Sequence, residues 1–565
     1  MPARMTRRDF IRYAGASAGA IAGATMLGSR ALAASGSLAP VATGPHATDR
    51  LMLANVKYRS IEDELLLGSF DDTHAIPGPG LVEILLWPGD QAKLEAKGLD
   101  FEITCEDVVA RDQAAHRAMA GARPAGVPVA PGERTAYRRQ ADYNTDMQTL
   151  AQQYPDLARM FVLPERTLEG RLVYGIEIAA NVTRNDGRSV YHMDGCHHSR
   201  EWPAGEMPMM FAFDLLQGYG VDPRTTDLLD RMRVVIVPVM NIDGFVESRE
   251  AGVDNSNTAV APVVTMAYWR KNRRSFTGAT VPVIMKNPDA YGVDPNRNYS
   301  YQWGDSDGGS SDVPVDETMR GSAPFSEPES RNIRSLVMSR QTTGMLTHHT
   351  SGRLCMRPWG WTPDDTPDEE LQYEIAEEIT SVNHYQNWKA RQLYLTSGGS
   401  RDWTYGATGC ITYTFEHGTE FHGPYLSTIP AMYNLNREPF FTLFREAADP
   451  ANHAILKGNV VDGNGQPVAA TVSIHKEMSS PAWFHGNGAA PGGVTTTPDT
   501  LQTSMETGGD GVISYHVNPS RRPWLEGAED EAYDVTIAAP GKQSVTKTVA
   551  VSRGDVHDLG TVRLT

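Results

Sequence analysis

Cysteine is scarce in this chain of 565 residues: Cys105, Cys196, Cys355 and Cys410 are the whole supply, and no two have CxxC spacing. That count excludes a disulfide-dense scaffold and a cysteine zinc knot, and leaves room for one or two bridges at most. Positive charge is also short, with 51 Lys and Arg against 69 Asp and Glu and a formal net charge of −18. A protein that grips nucleic acid carries a basic patch or stripe, so nucleic acid is not expected as a partner. Beyond the first 33 residues no run reaches 18 consecutive apolar residues, so no stable membrane span is expected. What remains, 40% hydrophobic and 21% charged, reads as soluble, globular and long enough for two or three domains.

The N-terminus has its own texture. MTRRDFIRYAGASAGAIAGATMLGSRALAAS places Arg7 and Arg8 before Phe10, then a weakly apolar Ala/Gly run, then Ala31-Leu32-Ala33 as a cleavage-like site. Residues 1–33 resemble a twin-arginine export signal, which implies a periplasmic or extracellular location for the folded protein. Residues 47–118 read as a small α/β unit: LVEILLWPGDQAKLEAKGLDFEITCEDVV (81–109) alternates, becomes helix-like through Gln91–Lys97, turns at Gly98 and alternates again. An Ala/Gly/Pro-rich linker is expected over 119–137.

From 138 to 447 helical and strand patterns interleave, the signature of an α/β domain with a mixed, largely parallel sheet flanked by helices. Strands are expected at VYHMDG (190–195), VVIVPVMN (234–241), GMLTHH (344–349) and ITYTFE (411–416), and Ser326 with Glu329 reads as a capping box. Ligand crevices in such sheets lie beyond the carboxyl ends of the strands, and His198, Asn241, Asp243, His349 and Glu416 stand there. Over 453–565 short alternating runs broken by Gly, Pro and Asn-Gly predict a C-terminal β-sandwich, with a loop at 479–498. No internal repeat is present.

The chemistry centres on DGCHHSREWPAGE (194–206). His197 and His198 lie four and three residues from Glu201, and both spacings put side chains on one helical face, so spacing leaves the choice open. A second such pair, His417 and Glu420, shows how weak the signal is alone. Further segments follow in order: WRKNRR with Arg270, GVDPNRNY with Asp294, Asn296 and Arg297, THHTSGRLCMRPWGW with His349, LYLTSGGSRDW with Tyr394 and Arg401, and YTFE with Glu416. Together with HSREW, these resemble the zinc metallocarboxypeptidases of the pancreatic carboxypeptidase A and B type, over roughly residues 138–447.

The resemblance implies one Zn2+ held by His198, Glu201 and His349, with Asp294 orienting a ligand histidine behind them. It implies Asn296 and Arg297 as the clamp for a peptide's free C-terminal carboxylate, a task that suits a planar guanidinium. Arg270 falls where the oxyanion is stabilised, Arg200 where an upstream substrate carbonyl binds, Tyr394 where a mobile phenol closes, and Glu416 where the general base stands. The expected partners are therefore peptide or protein C-termini.

Arg401 departs from the pattern. It stands at the base of the pocket for the departing side chain, where the family keeps an apolar or an acidic residue; a cation there favours a terminal Asp or Glu, unless Asp402 neutralises it or the side chain turns away. Two other readings stay in view: a related zinc amidohydrolase acting on cell-wall peptides or acylated amino acids, and a non-catalytic peptide-binding protein. Residues 453–565 resemble the transthyretin-like regulatory domain found in part of the family, and the N-terminal unit sits where the family has an inhibitory propeptide.

Overall fold

The computed structural model describes residues 50–565 apart from 74–79, 120, 251–264, 277–291, 306, 479–498 and 524–530. The expected export signal and the 479–498 loop lie outside the described residues. All four cysteines are free thiols, so neither of the possible bridges forms.

The N-terminal unit is a four-stranded antiparallel sheet in the order β2-β3-β1-β4, built from β1 (Met52–Lys57), β2 (Asp71–Asp72), β3 (Leu81–Leu86) and β4 (Asp100–Cys105). Helices α1 (Ile61–Leu67), α2 (Asp90–Lys97) and α3 (Val108–Met119) accompany it, and Gly98 ends α2 at φ 70°, in the left-handed region that glycine enters without cost. The strand–helix–strand reading of 81–105 thus holds, while α3 replaces the alternation expected to continue through Val109.

The central sheet has eight strands in the order β11-β10-β12-β9-β7-β8-β6-β5. They are β5 (Ala158–Arg166), β6 (Leu172–Ile178), β7 (Val190–Gly195), β8 (Arg233–Val237), β9 (Thr342–His349), β10 (Leu354–Arg357), β11 (Gln386–Lys389) and β12 (Ile411–Glu416). The middle four, β12, β9, β7 and β8, run parallel; β6 is antiparallel to β8 and to β5, and β10 is antiparallel to β12 and parallel to β11. Every residue of β7, β8, β9 and β12 is buried, as strands covered on both faces must be. The cover comes from helices that include α4 (Gln140–Gln153), α5 (Trp202–Gly218), α6 (Pro223–Arg231), α7 (Ile242–Glu250), α8 (Pro328–Met338), α9 (Glu369–Asn383), α10 (Ser400–Thr408) and α11 (Tyr425–Ala448), with α5 and α11 packing on β7 and β9.

The expected strand at 234–241 stops at Val237, because Pro238 offers no amide to the ladder. The capping box at α8 does not form: Ser326 and the Glu327 amide turn to Asn298, whose Oδ1 accepts from Glu327 N at 3.0 Å and whose Nδ2 donates to Ser326 Oγ at 2.9 Å.

After α11 come two further sheets, β16-β13-β19 and β15-β14-β17-β18. Their strands are β13 (Ala454–Val461), β14 (Thr471–Met478), β15 (Asp499–Glu506), β16 (Val512–Val517), β17 (Tyr533–Ala538), β18 (Val545–Val549) and β19 (Val556–Arg563). In β15 and β16 burial alternates residue by residue, the period of a sheet with one covered face. No helix among the described residues is long and apolar enough to cross a membrane.

Candidate active site

Parallel pairing assembles the site's floor. In the β12–β9 ladder Glu416 is the register partner of His349, so the two side chains leave the sheet side by side at its carboxyl edge. β7 ends next door, with Gly195 opposite His348. Beyond Gly195 the chain must turn at once, and Cys196 does so at φ 55°, a conformation that costs an L-residue roughly 1–2 kcal/mol. Two glycines let α5 start close by: a Cβ on Gly195 would stand 2.2 Å from the Ala204 carbonyl oxygen, and one on Gly205 would stand 2.9 Å from that of Pro238. This close approach sets Glu201, the residue before α5, opposite the end of β9.

Three donors then converge. His198 Nδ1 lies 2.6 Å from Glu201 Oε1, His349 Nδ1 lies 3.0 Å from Glu201 Oε2, and the two Nδ1 atoms are 3.2 Å apart. Two ligands each about 2.0–2.1 Å from a tetrahedral ion stand about 3.3 Å apart, so the set has the size and the N,N,O chemistry of a catalytic zinc site. All three residues are buried, and His349 Nε2 has no hydrogen-bond partner among the described residues. Lone pairs facing each other at this range call for a cation between them. Burial opposes the charge on Glu201, yet the two histidines hold its carboxyl well below the ordinary range.

The neighbouring histidines turn elsewhere. His197 Nε2 meets Tyr299 OH at 2.9 Å, and His348 Nδ1 meets His417 Nε2 at 2.9 Å. Buried His417 and His422 lie close by, each pushed down by burial, to about 3 and about 4, and so held neutral.

Asp294 ties the ligand shell to the cleft. Its Oδ1 faces His198 Nε2 at 3.3 Å and its Oδ2 accepts from Arg270 Nη2 at 2.8 Å. Asn296 N also donates to Asp294 Oδ1, at 2.8 Å. Arg297 is fixed through Nε to Gly309 O at 2.9 Å and through Nη1 to Asn296 O at 3.0 Å, with the half-buried Tyr394 ring 5.8 Å from its guanidinium carbon. Burial pushes the Glu416 carboxyl well above its ordinary range; Glu201 adds to the push, while His349, Arg270 and Arg401 oppose it.

A small cavity of about 30 Å³ opens beside these groups, lined by Asn296, Arg297, Tyr394, Arg401, Thr414 and Glu416. Arg401 therefore faces the pocket, and it is also paired: Nε donates to Asp402 Oδ1 at 3.1 Å and Nη1 to Thr414 Oγ1 at 3.2 Å. Asp402 shares its charge, since Oδ2 accepts from Gly360 N at 2.7 Å.

Two expected residues are turned elsewhere: Asp243 binds Thr167 and Arg171, and Arg200 is drawn toward the N-terminal unit. Both its terminal nitrogens bind the Asp71 carboxylate of the N-terminal unit, at 2.5 and 2.6 Å, and its guanidinium carbon lies 4.1 Å from the centroid of the Phe421 ring. Sequence reasoning missed Asp71, and also Thr414 in the pocket wall. The register of β12 against β9 could have flagged Thr414, two residues before Glu416 on the same face.

An α/β sheet with an N,N,O donor set at its carboxyl edge defines a metallohydrolase-type site, and the relatives narrow the class. The peptidase M14, zinc carboxypeptidase, family matches residues 143–437, slightly more than half of the chain, and the chain belongs to that family. It is a metallocarboxypeptidase with zinc as its cofactor. Carboxypeptidase A1 of Rattus norvegicus is 27% identical over 334 residues, covering 58% of this chain and 73% of that protein. Carboxypeptidase B of Astacus astacus is 28% identical over 292 residues, 50% of this chain and 86% of its own length. Among solved structures, the carboxypeptidase A from Helicoverpa armigera superposes with a TM-score of 0.57 at 21% identity, over 71% of this chain and 98% of that one.

Proposed function

We propose that this chain is an exported carboxypeptidase that removes the last residue of peptides or proteins and prefers an acidic one. The observation that carries the preference is Arg401, a cation in the wall of the pocket beside Glu416 that, among the described residues, pairs with Asp402 and donates to Thr414. A terminal Asp or Glu gains a charge-assisted bond there, whereas a terminal Lys meets like charge.

In this reading Arg297 and Asn296 hold the substrate's terminal carboxylate. Arg270, oriented by Asp294, donates to the oxygen on which negative charge develops. Zinc, when bound by His198, Glu201 and His349, supplies a Lewis acid that acidifies a water and polarises the scissile carbonyl. Glu416 takes the proton from the attacking water and returns it to the leaving amine. Tyr394, stacked near Arg297, closes over the bound residue.

The remaining parts of the proposal rest on the same chain. The twin-arginine pattern at Arg7 and Arg8 supports export. The seven strands after residue 453 among the described residues, in sheets of three and four, support a transthyretin-like domain. The bidentate Asp71–Arg200 pair supports a propeptide-like role for the N-terminal unit, because it occupies a guanidinium the reaction would use.

The test is hydrolysis of one peptide series by the purified zinc protein, with terminal Glu, Phe and Lys, each free and C-terminally amidated. We expect kcat/KM for Glu to exceed that for Lys by about 10-fold or more, the worth of one charge-assisted contact, and no cleavage of amidated peptides. A preference for Lys overturns the acidic pocket; cleavage of the amides overturns terminal carboxylate recognition.

A further inference from the structure

The helix that carries Arg401 is gripped from behind by the C-terminal sheets. All nine residues of α10 are buried. At its start, Ser400 N and Oγ both donate to Asn296 Oδ1, at 2.9 and 3.1 Å; at its end Gly409 and Cys410 lead straight into β12 and Glu416. A shift of α10 is therefore a shift of the pocket.

Three side chains beyond residue 437, where the family match ends, fix this helix. Asp499, the first residue of β15, accepts from Trp403 Nε1 at 2.9 Å and from Ser300 Oγ at 3.3 Å, with Arg334 as its counter-ion. Arg522 Nη1 donates to the Ala407 carbonyl at 2.9 Å. Arg553 Nη2 donates to the Gly409 carbonyl at 2.9 Å, and its guanidinium pairs with Asp368 at 2.7 Å, the same carboxylate that receives Tyr405 OH at 2.9 Å. The last carbonyls of a helix lack intrahelical donors and carry its negative end. Two guanidiniums from a separate part of the chain meet that need, and a buried carboxylate fixes Trp403 on the flank.

We propose that the C-terminal sheets set the selectivity for the departing residue by holding α10, with Asp499 and Arg553 as positioning residues. The inference rests on the reading of Arg401 as a pocket residue. Small displacements suffice, since a misplacement of about 1 Å can cost about 10²-fold in rate.

The experiment uses the full-length zinc protein and its Asp499→Asn and Arg553→Gln variants, with two peptides: one bearing the best-cleaved terminal side chain and one ending in glycine, which puts nothing in the pocket. We expect the ratio of their kcat/KM values to fall about 5-fold or more in both variants, while bound zinc and kcat on the glycine peptide stay within about twofold, since a displaced helix touches the side chain and not the metal. An unchanged ratio, or an equal loss on both peptides, overturns the proposal. Should Asp499→Asn fail to fold, Arg553→Gln decides alone, its side chain being 14% exposed. Arg401→Gln separates the two readings: an unchanged ratio there sinks the pocket assignment, whereas a ratio lost there but kept in the other variants sinks the positioning alone.

Discussion

At Cys196 the chain turns with φ 55°, and the two rings that follow part company: one goes to Tyr299 OH, the other to Glu201 and Asp294. Helical spacing from Glu201 cannot separate them, since i,i+3 and i,i+4 share a face. The turn can, because it presents His198 to the donor cluster and lays His197 against the face of His349, centroids 5.3 Å apart. We therefore expect His198→Ala to lose its zinc on dialysis and His197→Ala to keep about one ion per chain, read by elemental analysis of the purified proteins. Asp294→Ala, which strips the partner from His198 Nε2, should weaken zinc about 10–100-fold. Full zinc in His198→Ala, or its loss in His197→Ala, moves the ligand by one residue.

The β5 side of the central sheet holds a charge cluster that the reaction does not use. Glu177 on β6, with 1% of its side chain exposed, meets Arg233 Nη1 at 2.8 Å, Arg159 Nη2 at 2.6 Å and Arg340 Nη1 at 2.9 Å. Burial works against its charge, but Arg340, Arg159 and Arg233 prevail and hold it at about 2, below its ordinary 4.5. Between those values the unfolded chain binds more protons, so the stabilisation is complete above pH 4.5 and fades as pH falls toward 2. It amounts to at most roughly 3 kcal/mol. Glu177→Gln should unfold at lower urea at pH 7, by roughly 3–5 kcal/mol for a broken buried pair, with the gap to the unmodified protein narrowing by pH 3. A gap independent of pH would show that the charge of Glu177 does not matter.

Sequence pattern reaches this far and stops for definable reasons. VYHMDG and ITYTFE become β7 and β12 with the expected limits, because short apolar runs and their flanking turns are local signals. The pairing of Ser326 and Glu329 fails because Asn298, a distant residue, competes for the same groups. The Asp71–Arg200 pair spans 129 residues and the Asp499–Trp403 bond spans 96; neither leaves a trace in local composition. In the candidate site, residue types and order were readable, while the supports that aim them arrive from elsewhere in the chain.

The N-terminal unit is fastened over the cleft by polar contacts. Asp71 binds Arg200, Trp87 Nε1 holds Asp71 Oδ2 at 2.8 Å, and Ser351 Oγ and Thr318 Oγ1 donate to Thr73 O and Gly68 O at 2.9 and 2.6 Å. Beneath this roof a cavity of about 340 Å³ remains, bounded by Asp71, Leu67 and Phe70 above and by Arg270, Arg297 and Tyr394 below. That volume is at the small end of ligand pockets, which run from about 300 to 1,000 Å³. Asp71, which holds Arg200, is part of the cavity's lining; under the propeptide-like reading, the pair limits how long a peptide the cleft accepts. Asp71→Asn keeps the shape and removes the charge, so the pair loosens, which under the propeptide-like reading frees Arg200 for a substrate carbonyl. We expect this variant to gain about 10-fold in kcat/KM on a pentapeptide, the scale of one recovered hydrogen bond to a charged group, and to change little on an acylated dipeptide. An equal response of both substrates, or a loss on both, would mean that Asp71 only fastens the unit to the enzyme and leaves access to the cleft unaffected.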